Sequence, residues 1–339
     1  LKNDGLLPLS ESTKKLNVFG WASSNTVLSG TGSAAAGELN LDPVTILKSL
    51  SDAGYETNSE LTELYASYRK GRPAISMNSQ DWTLPEPTAD QYSDELINAA
   101  KSFSDTALIV IGRSGGENAD LPTDMNAVIH GTYDIAANAD FVMADAFNQY
   151  GYFKGHYTNN GDYDDFEPEE HYLELSRTEE DLVALVTANF EKVVLVVNAN
   201  NPMELGFIED YPQIKAVILA PGTGASGMAA LGEILNGSVN PSGKTVDTYV
   251  YDLTKAPTWN NSGNSGVHIY SNYEDVGKQV RRADISYLGT VSFVDYVEGI
   301  YQGYKFYETA AEEGLLSYDE YVQFPFGYGL SYTSFRQEI

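Results

Sequence analysis

Cysteine is absent from this chain and basic residues are scarce. Without cysteine, disulfide bonds and thiolate chemistry are excluded. The chain has 20 Lys and Arg against 48 Asp and Glu, which gives a formal net charge of −28. Because such a surface repels nucleic acid and anionic membranes, we expect neither as a partner. An uncharged substrate, which needs no electrostatic steering, is compatible with this acidity.

Long apolar runs are absent as well. No stretch reaches the ~18 consecutive apolar residues that indicate a membrane-spanning helix, and no signal peptide is visible. The chain starts at Leu1 rather than Met, and both of its ends look cut, so we expect a part of a longer polypeptide. The expected location is cytoplasmic, with a secreted or cell-surface location as the alternative.

Motifs for metal binding and for common nucleophiles are also missing. The histidines at 130, 156, 171 and 268 form no HxH or HxxxH pair, so we predict no metal site. No Gly-x-Ser-x-Gly elbow and no Walker sequence occurs. An acidic run at 162–170 could bind Ca²⁺, but its spacing does not fit an EF-hand loop. We expect this run to be a solvated loop, and we predict no cofactor.

Strands alternate with helices along the chain. Hydrophobic residues make up 42% of it, enough for a sizeable core. Strands are predicted at 16–20, 107–111, 193–197 and 214–219, and helices at 44–53, 94–103, 182–190 and 228–235. The run at 193–197 is apolar at every position, which is typical of a parallel strand buried on both faces. We predict an α/β fold in which a mostly parallel sheet lies between helices.

Two long segments interrupt this alternation. Residues 118–171 are polar and aromatic with few periodic apolar positions, and residues 254–297 are rich in Asn, Ser and Tyr. Loops of this length in a compact domain are usually binding loops or lids. We therefore predict that residues 1–339 form a single α/β sandwich domain with these two long loops inserted.

A carboxylate follows the predicted strand at 107–111. The sequence after that strand is Gly-Arg-Ser-Gly-Gly, and Glu117 comes next. A strand of an open α/β sheet would deliver Glu117 to the edge where ligands bind. A carboxyl group in this place can give or take a proton during hydrolysis. An ordinary turn with a solvated Glu would produce the same pattern. This segment alone therefore does not distinguish a functional carboxylate from a solvated one.

The segment Gly222 to Gly227 fits the Gly-x-Gly-x-x-Gly fingerprint of dinucleotide-binding proteins. It follows a predicted strand, opens a helix, and has Asp247 twenty residues beyond its last glycine. The fingerprint normally occupies the first strand–helix turn of the fold, however, and this one comes late. A dinucleotide-binding enzyme is therefore kept only as a minor alternative.

Six blocks in register resemble the α/β sandwich domain of glycoside hydrolase family 3. They are LKNDGLLPL at 1–9, YLEL at 172–175, NPMEL at 201–205, GSVNPSGK at 237–244, EGIYQGYKFY at 298–307 and FPFGYGLSY at 324–332. The last two are specific, and together the blocks cover nearly the whole chain. In that family the sandwich domain packs against a (β/α)₈ barrel, with the active site between them.

The resemblance implies roles for two residues of this chain. Glu117 matches the acid/base Glu that the sandwich domain supplies in a Gly-Glu loop. Ser33 lies in a Gly-Thr-Gly-Ser loop similar to one that reaches the sugar, so it is a predicted substrate-binding residue. The barrel of the family supplies an Asp nucleophile. Retaining glycosidases use two such carboxyl groups about 5–5.5 Å apart.

The chain departs from the family pattern in three ways. It has no barrel, and its Ser-Asp pairs at 51–52, 93–94 and 104–105 lie in or beside helices or just before a strand, so no nucleophile motif is present. The loop after Glu117 is long, which leaves Asp120 and Asp124 as alternative acids. The block at 293–299 is similar to members in which the sandwich domain precedes the barrel.

The combined pattern predicts part of a retaining exo-β-glycosidase, most simply a β-glucosidase acting on terminal non-reducing glucosyl residues. Its expected partners are a β-glucoside or small oligosaccharide and a barrel domain from the same or a cleaved polypeptide, and a homo-oligomer is compatible with the sequence. This chain alone is expected to be incomplete and inactive. The principal alternative is a non-catalytic carbohydrate-binding or structural domain.

Overall fold

A six-stranded sheet forms the centre of the structure. The computed structural model describes residues 1–32, 42–69, 80–117, 121–130, 157–158, 165–261, 296–334 and 336. The strands are β1 (Lys2–Asn3), β2 (Lys15–Phe19), β3 (Glu56–Thr57), β4 (Gln80–Asp81), β5 (Thr106–Arg113), β6 (Tyr157–Thr158), β7 (Lys192–Ala199), β8 (Ile214–Leu219), β9 (Tyr249–Val250) and β10 (Val322–Phe324). Strands β4 and β6 pair with each other, as do β9 and β10, outside the main sheet.

The main sheet is mostly parallel, as predicted. Its strand order is β1–β8–β7–β5–β2–β3, and every neighbouring pair is parallel except β1 with β8. Chain order runs outward from β2 in two directions, to β3 on one side and to β5, β7 and β8 on the other. A topological switch point therefore lies between β2 and β5, and ligands of open α/β sheets bind outside the carboxyl ends of the strands at such a point.

The central strands are apolar because both faces of the sheet are covered. All eight residues of β5 are buried, and in β7 only the first residue, Lys192, is exposed. Strands β5 and β7 pair in register over their whole length, from Thr106 opposite Lys192 to Arg113 opposite Ala199. Continuous burial explains why these segments lack the polar alternation of a sheet with one wet face.

Helices flank the strands. They are α1 (Ile46–Asp52), α2 (Ser59–Arg69), α3 (Asp94–Phe103), α4 (Met125–Ile129), α5 (Arg177–Asn189), α6 (Ala229–Asn236), α7 (Tyr304–Glu312) and α8 (Tyr318–Tyr321). Short 3₁₀ turns occur at Trp21–Ser23, Ala89–Gln91, Gly206–Glu209, Leu253–Lys255 and Trp259–Asn261. None of the described helices is long and apolar enough to cross a membrane.

Helices α1 and α6 pack against each other through a small polar contact. The Ser49 hydroxyl donates to the Ala229 carbonyl at 3.1 Å and accepts from the Gly232 N–H at 2.9 Å. A Cβ on Gly232 would lie 2.4 Å from the Ser49 carbonyl oxygen, so the two helices approach as closely as a glycine allows. This contact fixes the helix that follows β8 against the helix that follows β2.

Several predicted boundaries differ from the structure. Helix α1 begins at Ile46 rather than 44, because the Thr45 side chain caps it by accepting from the Lys48 N–H. The segment 118–171 contains a short helix, α4, that its weak periodicity did not indicate. Most of that segment and of 254–297 lies outside the described residues.

The acidic run at 162–170 is not wholly a solvated loop, which corrects that prediction. Asp165 is 5% exposed, and its carboxylate accepts from the Thr178 N–H at 2.9 Å and the Thr178 hydroxyl at 2.7 Å. It thus satisfies a free N–H in the first turn of α5, where a carboxylate is favoured. Glu167 and Glu169 are exposed as expected, and Asp162 and Asp164 lie outside the described residues.

A buried carboxyl group supports the end of β2. Glu86 is fully buried and accepts hydrogen bonds from the Trp21 N–H at 2.8 Å and the Tyr92 hydroxyl at 2.6 Å. The Tyr92 hydroxyl also meets that of Tyr65 at 2.7 Å. Burial, with smaller contributions from the charges of Glu179 and Asp165, raises the pKa of Glu86 to about 8. Glu86 therefore holds a proton at neutral pH.

The free energy of unfolding should fall as the pH rises between the two pKa values of Glu86. In that range the folded protein keeps the carboxyl proton and the unfolded chain loses it. The ordinary pKa of a Glu carboxyl is 4.5, and the pKa of Glu86 in the folded protein is about 8. The contribution of Glu86 to the free energy of unfolding is therefore fully present below pH 4.5 and is lost by about pH 8. Glu86→Gln, which is always neutral, should remove this part of the pH dependence. Urea unfolding at pH 5, 7 and 9 measures it. A free-energy gap between the two proteins that stays constant with pH would contradict the assignment.

Candidate functional site

The loops after β2 and β5 meet at the switch point of the sheet. Thr31 forms an isolated parallel bridge with Gly116. The Thr31 N–H donates to the Gly115 carbonyl at 3.1 Å, and the Thr31 hydroxyl donates to the Glu117 carbonyl at 2.8 Å. The backbone on both sides of Glu117 is thus held by one residue of the neighbouring loop.

Two glycines allow this close approach. Gly116 has φ of +148°, and a Cβ there would lie 2.5 Å from the Thr31 nitrogen, where no side chain fits. Gly32 has φ of +68°, and a Cβ there would lie 2.6 Å from Oε2 of Glu117. The carboxylate of Glu117 therefore lies against Gly32. Glu117 is exposed, so it lies at the rim of the sheet where a ligand can reach it.

The other predicted site residues differ in what can be said of them. Ser33 and Asp120 lie outside the described residues. Asp124 is the N-cap of α4, and its carboxylate accepts from the Ala127 N–H at 2.8 Å. Because that carboxylate is engaged at a helix terminus, Asp124 is a weaker candidate for an acid than Glu117. The structure brings Glu117 together with Thr31 and Gly32, which immediately precede Ser33.

A buried ion pair fixes the end of β5, from which the loop of Glu117 departs. Arg113 and Glu179 are 1% and 0% exposed. Nη1 of Arg113 donates to Oε1 of Glu179 at 2.8 Å, and Nη2 donates to Oε2 at 2.5 Å. Burial acts to lower the pKa of Arg113, but the charge and hydrogen bonds of Glu179 outweigh it and the pKa is raised. The pair is bidentate, with two parallel hydrogen bonds.

The same guanidinium and carboxylate also bind the surrounding backbone. Arg113 donates to the carbonyls of Tyr172 at 2.6 Å, Glu174 at 2.6 Å and Gly112 at 2.8 Å. Glu179 accepts from the Ser176 N–H at 3.1 Å, which completes a capping box at the start of α5. Sequence reasoning missed Arg113, because the predicted strand ended at 111. The Ser-x-x-Glu spacing at 176–179, which is the pattern of a capping box, is a signal that could have pointed to this place.

In the glycine-rich loop at 222–227, the backbone N–H groups of three glycines donate hydrogen bonds to other groups of the protein. The Gly222 N–H donates to Oδ1 of Asn200 at 2.7 Å, and the Gly224 N–H donates to the Leu28 carbonyl at 2.7 Å. The Gly227 N–H donates to the Thr223 carbonyl at 3.2 Å. A dinucleotide site needs such N–H groups to point at the pyrophosphate. The geometry therefore disfavours the minor alternative that the fingerprint suggested.

Among the described residues, one group of side chains lies close enough together to hold a metal ion. His171, Glu174 and Glu204 place their donor atoms within 4.8 Å of one another. However, Nδ1 of His171 accepts from the Leu173 N–H at 3.1 Å, and Nε2 lies 3.1 Å from Oε1 of Glu204. This pattern puts the ring proton on Nε2, where a metal would have to bind. The geometry fits a hydrogen bond between His171 and Glu204 better than a metal ion.

A cavity of about 440 Å³ lies beside β7 and β8. Its lining is mainly apolar and includes Val197, Val217, Leu219, Ile234 and Tyr328. Neither Thr31 nor Glu117 is part of this lining. The candidate site at the switch point is thus distinct from this cavity.

The fold and the paired loops define an α/β domain whose candidate site is a carboxylate at the switch point of the sheet. The sequence profile of the family described as glycosyl hydrolase family 3 C-terminal domain matches residues 1–332. The chain belongs to this family. The resemblance noted in the sequence is thereby confirmed.

Curated relatives carry the same domain within longer proteins. The chain is 28% identical over 340 residues to a β-glucosidase of Ruminococcus albus, covering 99% of this chain and 27% of that protein. It is 28% identical over 353 residues to β-glucosidase A of Butyrivibrio fibrisolvens, covering 100% of this chain and 34% of that protein. The chain thus spans about a quarter to a third of the length of these relatives.

Solved structures agree on the fold. A β-glucosidase from Paenibacillus barengoltzii superposes with a TM-score of 0.63 at 24% identity, over 98% of this chain and 28% of that one. β-Glucosidase 3B from Thermotoga neapolitana, in complex with glucose, gives a TM-score of 0.63 at 23% identity, over 98% and 36%. At this level of identity the likeness establishes the architecture.

Breaking the buried pair should be costly. Glu179→Gln leaves the Arg113 charge buried without its partner, so we expect a loss of about 3–5 kcal/mol in the free energy of unfolding. Asp105→Asn is the matched control, because its carboxylate pairs with Lys192 at 2.7 Å on the surface, with both side chains about half exposed or more. That control should change stability by less than about 1 kcal/mol. Similar losses in urea unfolding of the two variants would refute this view of the pair.

Proposed function

We propose that this chain is the sandwich domain of a retaining exo-β-glycosidase and that Glu117 is its general acid/base. The observation that carries the proposal is the place of Glu117. It lies at the carboxyl edge of the sheet, at the switch point, against Gly32 and with its backbone held by Thr31. Open α/β folds bind their ligands at this point, and a carboxyl group there can exchange protons with a bound substrate.

The mechanism assigns two roles to Glu117. In the first step, an Asp of a (β/α)₈ barrel attacks the anomeric carbon, and the bond from that carbon to the glycosidic oxygen breaks. The carboxyl group of Glu117 gives its proton to the departing oxygen, so the aglycone leaves as a neutral alcohol. In the second step, the Glu117 carboxylate takes a proton from water, whose oxygen displaces the Asp and releases the sugar.

We propose a β-glucoside or small oligosaccharide as the substrate, cleaved at its terminal non-reducing β-D-glucosyl residue. The names of the relatives from Ruminococcus albus and Butyrivibrio fibrisolvens, both β-glucosidases, support this choice. The formal net charge of −28 favours an uncharged substrate over an anionic one. Ser33, which follows the Gly32 that contacts Glu117, is proposed to bind the sugar.

The proposal also requires a partner. Retaining enzymes need a second carboxyl group as the nucleophile, and the curated relatives carry this domain within longer proteins. We therefore propose that a barrel domain from the same or a cleaved polypeptide completes the site. On this view the isolated chain folds but is inactive.

The test is a leaving-group comparison in the enzyme that contains this chain together with its barrel. Glu117→Gln should lower kcat/KM for β-glucosides with poor leaving groups by roughly 10²- to 10⁴-fold, because their oxygen needs a proton. A 2,4-dinitrophenyl β-glucoside, whose leaving group needs none, should keep a kcat/KM close to that of the unmodified enzyme. Added azide should restore turnover of this substrate, since azide attacks the glycosyl-enzyme without a general base.

Glu95→Gln is the control, because Glu95 is an exposed carboxylate in the first turn of α3. It should leave both kcat/KM values unchanged. Equal losses on both substrate classes in Glu117→Gln would rule out the acid role. Full activity in that variant would favour a carbohydrate-binding or structural role for the domain.

A further inference from the structure

The loop that carries Glu117 leaves the sheet at Ser114, the first residue after β5. The Ser114 N–H donates to the hydroxyl oxygen of Tyr172 at 3.3 Å. At the next residue, Gly115, the contacts of the loop with Thr31 begin, and they continue through Gly116 and Glu117. Gly115 and Gly116 have no side chains that could stabilise the loop, and the hydrogen bond from the Ser114 N–H to Tyr172 supports its start.

Tyr172 is itself rigidly held. Its side chain is 1% exposed, and its ring packs edge-on against Trp82 with centroids 4.8 Å apart and an interplanar angle of 78°. The Arg113 guanidinium lies over the same ring at 5.3 Å. The Tyr172 backbone is bound at both polar groups, since its carbonyl accepts from Nε of Arg113 and its N–H donates to the Pro122 carbonyl at 3.1 Å.

These contacts hold the Tyr172 side chain in one position next to the start of the acid/base loop. A buried ring with two packing partners and two backbone hydrogen bonds has little freedom to move. Its hydroxyl oxygen therefore presents an acceptor in a defined place, and the Ser114 N–H is drawn to it. Thr31 binds the backbone carbonyls of Gly115 and Glu117. The loop that carries Glu117 is therefore held at its start by Tyr172 and at its end by Thr31.

We propose that Tyr172 is a positioning residue for Glu117, acting through the backbone of Ser114. The inference rests on the proposed function, because it assumes that Glu117 transfers the proton. Proton transfer requires the carboxyl group to lie within hydrogen-bond reach of the glycosidic oxygen. Small displacements of such a group are costly, and an error of about 1 Å can lower the rate by around 10²-fold.

Tyr172→Phe in the enzyme with its barrel tests the inference. The substitution keeps the ring, and with it the contacts to Trp82 and Arg113, but it removes the acceptor of the Ser114 N–H. The expected result is a roughly tenfold lower kcat/KM on β-glucosides with poor leaving groups. The 2,4-dinitrophenyl β-glucoside should be almost unaffected. Amide hydrogen exchange should become faster at 114–117 and stay unchanged in β5.

Tyr332→Phe is the matched control. Its hydroxyl donates to the Ile234 carbonyl at 2.7 Å, and the side chain is half-buried and has no contact with the acid/base loop. It should leave both substrate classes and the exchange at 114–117 unchanged. It reports what the loss of one half-buried tyrosine hydroxyl does to the enzyme when the acid/base loop is not involved.

The outcomes separate the inference from the proposed function when Glu117→Gln is measured beside these variants. If Glu117→Gln shows the leaving-group dependence and Tyr172→Phe does not, the positioning role is wrong and the acid role stands. If neither shows it, the proposed function fails. Equal losses on both substrates in Tyr172→Phe, or failure of that variant to fold while Tyr332→Phe folds, would show a purely structural role and overturn the inference.

Discussion

The bidentate pair of Arg113 and Glu179 is the interaction on which the rest of the site depends. A fully buried guanidinium has five N–H groups to satisfy, and here it makes five hydrogen bonds, two to Glu179 and three to backbone carbonyls. It joins β5, the turn at 172–174 and the first turn of α5. Because either charge alone would be expensive to bury, these three segments must assemble together.

Rigidity below the site and openness at its rim follow from this arrangement. The end of β5 is locked by charge and by aromatic packing, whereas the loop beyond it consists of small residues that approach the neighbouring loop through its backbone. A carboxylate placed in this way is precisely located without being enclosed. The curated relatives from Ruminococcus albus and Butyrivibrio fibrisolvens are longer than this chain, and on the proposed function an exposed Glu117 leaves room for a second domain to complete the pocket.

The sequence patterns predicted the fold class more completely than they predicted the contacts of the candidate site. The largely apolar runs at 193–197 and 214–219 are typical of strands in a parallel sheet that is covered on both faces, and their alternation with helices indicated the fold class. Arg113 was missed because a charged residue after an apolar run normally marks the end of a strand at solvent. Asp165 and Tyr172 were missed for a related reason, since their partners, Thr178 and Ser114, are supplied by folding and cannot be read from local spacing.

The switch point also has a consequence for the order of folding. Strands β2 and β5 meet there with Asn17 opposite Ala107, so their pairing closes a long stretch of chain. Contacts between segments so distant in sequence form slowly, because the entropy of loop closure is spent before the contacts are made. We expect the bridge between Thr31 and Gly116 to form after that pairing, because β2 and β5 bring the two loops together. We therefore expect the candidate site to be assembled late, so a partly folded chain that already has its helices would still lack it.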